Sequence, residues 1–213
     1  RQALELESVD EAALVVLAFS LLASAIYLVN DVIDCEADRA HPVKRNRPVA
    51  SGALGARTAV AVSILIGAAA LGLGAYLSFS VLAVLGAYFV LNLGYAFWLK
   101  HIALVDLFVI AIGFVLRVMA GAAAIGVNAS QWILTCTLFL SLLLATCKRR
   151  SEVELQGHDS GTRKVLSSYS LPYLDLIIAV VAGGAILSYA LYTLSPSTVQ
   201  HLGTTNLIYT LPF

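Results

Sequence analysis

Six stretches of this chain are long and apolar enough to cross a bilayer as helices, and that constrains its fold more than any other feature. A helix needs about 20 apolar residues to cross the hydrocarbon layer. The runs are 12–29, 58–79, 81–99, 102–125, 131–147 and 171–194, and a seventh opens near Thr205 and is unfinished at Phe213. No run alternates with period two, so a barrel is excluded and the spans must be helical, because a helix satisfies its own backbone in lipid. Glycine and alanine are dense in 67–74, 113–126 and 183–184, which lets helices approach closely. The expectation is an all-α, multi-pass transmembrane helical bundle, a single domain over 1–213.

The composition agrees. Hydrophobic residues make up 60% of the chain and charged ones 12%, about half the share of a soluble domain. The mean hydropathy of +0.88 excludes an ordinary water-soluble enzyme. Cys35, Cys136 and Cys147 are widely separated, with no CxxC pair, and suggest a reduced or lipid-embedded setting. Glu5, Glu7, Asp10 and Glu11 precede the first apolar run where a signal peptide would be basic, so none is expected.

The formal charge is zero, but the charges are segregated. Loops 35–57, 100–101 and 148–164 hold Arg39, Lys44, Arg45, Arg47, Arg57, Lys100, Lys148, Arg149, Arg150, Arg163 and Lys164, eleven of the thirteen basic residues. The alternate loops, near Ser80, at 126–130 and at 195–204, contain no Lys or Arg. The positive-inside rule places the charged loops in the cytoplasm, in a protein of the cell membrane, with the start of the chain on the other face.

The first span runs into Asn30-Asp31-Val-Ile-Asp34-Cys-Glu36-Ala-Asp38. Acids spaced i, i+3, i+7 share one face of a helix, and Asn30, four before Asp34, can add an amide oxygen. Three carboxylates at a membrane boundary repel one another and are poorly solvated, so a cation should neutralise them. Hard oxygen ligands suit Mg²⁺, completed by waters and substrate phosphates. The candidate ligands are Asp31, Asp34, Asp38 and Asn30, the three aspartates being also the candidate catalytic residues. His41-Pro-Val-Lys44-Arg45-Asn-Arg47-Pro48 follows, a basic segment braced by two prolines. Acids that hold Mg²⁺ beside Lys44, Arg45 and Arg47 would form a diphosphate site, although the same cations also read as an orientation signal.

Lys148-Arg149-Arg150-Ser-Glu152 is a second polar cluster, again open to reading as an orientation signal. Asp106 and Arg117 lie eleven residues apart in the fourth span, nearly on one helix face and roughly 16 Å apart along it. Arg117 should therefore face a polar cavity or a partner acid, and a buried structural pair is the plainer alternative. Asp175 could pair with a loop cation, and Tyr95, Lys100 and His101 can line the same mouth.

Asn30-Asp31-x-x-Asp34-x-x-x-Asp38 followed by His41-Pro-x-Lys44-Arg45-x-Arg47-Pro48-x-Ala50-x-Gly52 resembles the first aspartate-rich motif of the UbiA-type intramembrane prenyltransferase superfamily. The resemblance covers nearly the whole chain. It implies nine transmembrane helices around a central cavity, of which about seven are expected here, the first and last falling outside this sequence. Most members carry a second Asp-x-x-x-Asp motif, where this chain has Lys148-Arg149-Arg150-Ser-Glu152. That pattern, with Ser168-Tyr169-Ser170, Tyr173-Leu-Asp175, Trp98-Leu-Lys100-His101 and Gly113-Phe-Val-Leu-Arg117, is similar to the decaprenyl-phosphate phosphoribosyltransferase branch.

The resemblance implies Mg²⁺-dependent transfer of a 5-phosphoribosyl group from phosphoribosyl diphosphate to a polyprenyl (decaprenyl) phosphate, in supply of cell-wall arabinose. The implied substrate-binding residues are Asn30, Lys44, Arg45, Arg47, Lys100, Arg117, Lys148, Arg149 and Glu152. The partners are the lipid bilayer and the two substrates, with no nucleic acid, and the Gly/Ala faces are compatible with a homo-oligomer. An aromatic prenyltransferase acting on a ring such as 4-hydroxybenzoate is the nearer alternative. A transporter, with Asp106 and Arg117 as pathway charges, is the distant one.

Overall fold

The computed structural model describes residues 2–156, 168–204 and 206–210. Arg163 and Lys164, counted above among the loop cations, and Thr205 and residues 211–213 of the seventh run, lie outside them. Helices α1 (Gln2–Ile33), α2 (Cys35–Ala40), α3 (Ala56–Leu77), α4 (Phe79–Phe97), α5 (Val105–Ala124), α6 (Gln131–Gln156), α7 (Leu171–Leu194) and α8 (Pro196–Leu202) follow in chain order. Among the described residues there is no strand. Six of these helices are long and apolar enough to span a bilayer, with the first span at Val9–Ile33. Residues 206–210, where the seventh run was expected, form a 3-10 turn.

Their apolar side chains are mostly turned outward: Val16, Ile64, Leu65, Val90, Leu176 and Val180 are each more than 60% exposed. In water such a surface would aggregate; in lipid it is the solvated face. The chain is an integral membrane protein.

The helices form two compact units. The first comprises 1–100 and 116–128, the second 101–115 and 129–213. In the first, Val15, Ala18, Phe19, Leu22 and Ile26 of α1 pack with Ala70 of α3, Val81, Leu85 and Tyr88 of α4 and Ala120 of α5. Ser63 of α3 donates to the Ala25 carbonyl at 2.9 Å, a buried hydrogen bond between helices. In the second, Leu107 and Ala111 of α5, Leu142, Ala145 and Val153 of α6, and Leu174 and Val181 of α7 enclose Tyr169.

Two boundaries differ from the hydropathy pattern. The break between the second and third spans falls at Ser78, not Ser80, because Ser78 is extended and its Oγ accepts the Val81 N–H at 3.1 Å. That serine caps the helix it precedes. Helix α6 also continues past Cys147 to Gln156, so the Lys148–Glu154 cluster is helical and not a loop. Arg149 pairs with Glu152 three residues on, and Arg150 with Glu154 four on, which supports the extra turns.

A Cβ built on Gly74 would lie 2.5 Å from Leu85 Cδ1 and 3.5 Å from the Leu82 backbone, whereas Gly72 faces open space. Both sit in α3, so alanine gains the same helix propensity at each. Gly74→Ala is therefore expected to be about 1–3 kcal/mol less stable than Gly72→Ala. Denaturant unfolding of the two variants in detergent checks this; equal midpoints would contradict the packing.

Candidate functional site

The acidic run sits where α1 passes into α2. Helical assignment lapses at Asp34 alone, yet Asp34 N–H still donates to the Asn30 carbonyl and Asp38 N–H to the Asp34 carbonyl, both at 2.8 Å. The helical path thus survives the junction, and it brings Asp31 and Asp38 together: Arg47 Nη1 donates to Asp31 Oδ1 at 3.0 Å and to Asp38 Oδ2 at 2.9 Å. Asp34 receives Lys100 Nζ at 2.6 Å. The side chains of Asp38 and Asp31 are 6% and 19% exposed, and that of Asp34 33%.

The segment that delivers Arg47 is folded tightly onto α2. His41 Nδ1 accepts the N–H groups of Val43 and Lys44 at 3.1 and 3.2 Å, which starts a 3-10 turn over Lys44–Asn46. Val49 and Ala50 are buried, and Arg39 Nε donates to the Ala50 carbonyl at 3.1 Å. The loop leaves through Gly52 at φ +83°, a conformation that costs any side chain but glycine's. Lys44 is half-buried and Arg45 exposed.

These residues fit a magnesium ion. Among the described residues no three His, Cys, Asp or Glu side chains converge into an all-protein cage. Mg²⁺ does not require one, since it takes one or two carboxylates and keeps water and phosphate for the rest. The donor set is hard oxygen, and one cationic nitrogen already bridges two of its members. Asp31 and Asp38, which already share one cation, would be the first of the expected ligands to hold the metal.

A different network occupies the second unit. Asp106, fully buried in the first turn of α5, accepts Arg149 Nη2 on Oδ2 at 2.6 Å and the Tyr169 hydroxyl on Oδ1 at 2.6 Å. The Tyr169 oxygen in turn accepts the Leu104 N–H at 2.7 Å. Leu104 has φ +68°, and its carbonyl accepts from Leu107 and Phe108 at the head of α5. Burial, and then the hydrogen bond given to Asp106, hold the Tyr169 phenol well above the usual tyrosine value. Arg149 also reaches Glu152, and its side chain is only 5% exposed. Arg149 and Glu152, expected at substrate, are thus engaged with each other, and Arg149 also with Asp106. Lys148 is exposed. Asp175 pairs with a cation as expected, but that cation, Arg150, belongs to the last turns of α6 and not to a loop.

Arg117 lies in the first unit. Its Nη2 donates to the Tyr88 hydroxyl at 2.8 Å, and its guanidinium carbon stands 5.1 Å from the Tyr88 ring centroid and 5.9 Å from that of Phe19. Aromatic faces thus supply part of the polarisable setting for a guanidinium inside an apolar span. Asp106 spends its two oxygens on Arg149 and Tyr169. The central place of Tyr169 was not read from sequence; the available signal was a buried Asp106 needing more than one donor.

Comparison with known proteins adds three findings. The UbiA prenyltransferase family profile matches residues 3–154. The chain is 39% identical over 188 residues to the decaprenyl-phosphate phosphoribosyltransferase of Corynebacterium glutamicum, covering 87% of this chain and 57% of that protein. It is 37% identical over 205 residues to the enzyme of the same name from Mycolicibacterium smegmatis, covering 94% and 64%. It thus spans roughly three fifths of the length of these relatives. A UbiA homolog from Archaeoglobus fulgidus bound to GPP and Mg²⁺ shares the fold, with a TM-score of 0.79 at 16% identity, over 95% of this chain and 73% of that one.

Removing the Tyr169 hydroxyl leaves a buried carboxylate oxygen and an amide short of a partner. Tyr169→Phe is expected to cost about 1–3 kcal/mol, and Arg149→Ala about 3–5 kcal/mol. Both would be read from denaturant unfolding. Since folding raises the Tyr169 pKa, its contribution is fully present below pH 10.0 and is lost as pH rises through the raised value. The alkaline loss of stability should be smaller in Tyr169→Phe; identical pH profiles would contradict this.

Proposed function

The chain belongs to the UbiA prenyltransferase family, and on that premise we propose that it transfers a 5-phosphoribosyl group from phosphoribosyl diphosphate to a polyprenyl phosphate such as decaprenyl phosphate. Diphosphate leaves, and the product lipid feeds cell-wall arabinose synthesis. The site faces the cytoplasm of the cell membrane, a reading supported by the segregation of the cations. The observation that carries the reading is the likeness to phosphoribosyltransferases at 37–39% identity. The charge at the end of α6 supports it. A prenyltransferase with two metal-loaded acidic motifs holds one diphosphate, whereas this reaction adds a 5-phosphate and a lipid phosphate. Exposed Lys148 suits those extra anions better than a second set of acids.

Asp31, Asp34 and Asp38, with Asn30, would hold Mg²⁺, which when bound neutralises charge on the departing diphosphate. Lys44, Arg45 and Arg47 take the remaining diphosphate oxygens. A lipid phosphate oxygen attacks the anomeric carbon; the new C–O bond forms as the bond to diphosphate breaks, and its electron pair leaves with the diphosphate. The nucleophile is already an anion, so no general base is required. The sugar carbon gains oxocarbenium character in passing. Catalysis by the chain then rests on positioning two anionic substrates and on charge balance.

The test is transfer from labelled phosphoribosyl diphosphate to decaprenyl phosphate, in membranes containing the full-length protein and Mg²⁺. Label should enter an organic-extractable product and be lost with EDTA or in Asp34→Ala. Asp31→Ala should lower the rate at least 100-fold, on the order of what loss of one electrostatic contact to the transition state costs. Lys148→Gln should raise KM for the donor by about tenfold, the effect of losing one charge-assisted contact. No label, with prenylation of 4-hydroxybenzoate from a polyprenyl diphosphate in parallel, would assign the chain to the aromatic branch.

A further inference from the structure

Arg47 Nη1 lies 3.0 Å from Asp31 Oδ1 and 2.9 Å from Asp38 Oδ2. One nitrogen thus draws on two of the oxygens from which the proposed site would take a divalent cation. A guanidinium and a metal ion on the same oxygens compete for the same lone pairs and repel each other at close range. We infer that Arg47 is an exchangeable counter-ion, which holds Asp31 and Asp38 until a metal–diphosphate ligand arrives and then transfers to the diphosphate. The inference rests on the diphosphate site proposed above.

Two features of Arg47 suit it to exchange. Its side chain is 40% exposed, whereas that of Lys100, the cation on Asp34, is 14% exposed. Its backbone is held from both sides, by Arg47 N–H to the Lys44 carbonyl at 2.9 Å and Ser51 N–H to the Arg47 carbonyl at 2.8 Å. Movement is therefore confined to the side chain, and a guanidinium can turn from carboxylate to phosphate without unfolding its loop. Arg39, another arginine of this corner, has its Nε on the Ala50 carbonyl and serves the loop itself. Asp38, with a side chain 6% exposed, needs a counter-charge throughout, which exchange supplies without an interval of bare charge.

The exchange makes the two ligands of the site respond in opposite directions when Arg47 is removed. In the full-length protein in detergent, Mn²⁺ alone is titrated by its EPR signal, and inorganic diphosphate is then titrated at saturating Mn²⁺. Arg47→Gln should bind Mn²⁺ about three- to tenfold more tightly than the parent, because a competitor worth about a kilocalorie-scale ion pair is gone. It should bind diphosphate about tenfold more weakly, since the guanidinium is no longer there to receive it. Arg47→Lys, which keeps the charge, should lie between the two in both titrations and serves if the glutamine variant is not monodisperse. Unchanged or weaker Mn²⁺ binding in Arg47→Gln overturns the exchange, and so does tighter Mn²⁺ binding with unaltered diphosphate affinity. If the parent binds Mn²⁺ and diphosphate in this pattern yet shows no phosphoribosyl transfer, the exchange stands and the donor assignment fails.

Discussion

A carboxylate at the end of an apolar helix has lost water on one side and cannot recover it from hydrocarbon, so it must find a cation within bonding distance. That requirement shapes both units. Asp31 and Asp38 share Arg47, Asp34 takes Lys100, and Asp106 takes Arg149. Each pair ties together segments distant in sequence: the ion pair of Asp34 with Lys100 joins residues 66 apart, and that of Asp106 with Arg149 joins residues 43 apart. Where lipid competes for every apolar face, such polar ties add to the specificity that apolar packing alone leaves open.

The two networks differ in what their burial permits. Asp106, Arg149 and Tyr169 are all buried, and a buried ion pair of that kind sets geometry more than it adds net stability. The Arg47 cluster is open on its cationic side. A cation able to leave is useful where charge must be handed to a substrate; a cation sealed behind Tyr169 is useful where a helix must be held still. On the proposed function, one set of acids and bases would receive ligands while the other fixes structure.

Much of this was legible in the sequence. The helices followed from run length and the meeting of Asp31 with Asp38 on one cation from their i, i+7 spacing, although Asp34 takes a cation of its own, while a cationic partner for Asp175 followed from its place near the end of its span. Tertiary contact decided the rest. Hydropathy ends α6 at Cys147, because Lys148 to Glu154 are polar, but the pairs from Arg149 to Glu152 and from Arg150 to Glu154 carry the helix further. Charge pattern likewise does not separate Arg149 from its neighbours, since a run of three cations does not reveal which one is buried against Asp106. Tyr169 gave no signal by period or composition, as a hydroxyl that joins two distant groups is visible only once both are placed.

Leu104 carries one more consequence. A leucine at φ +68° holds a backbone shape that glycine would adopt freely, and its amide is retained by the Tyr169 hydroxyl. The turn into α5 is therefore not self-supporting; it borrows its stability from a side chain 65 residues away. Breaking that one hydrogen bond frees a backbone already inclined to relax, so the entry to α5 should open as a cooperative unit and exchange its amide hydrogens together, well before the apolar spans release theirs.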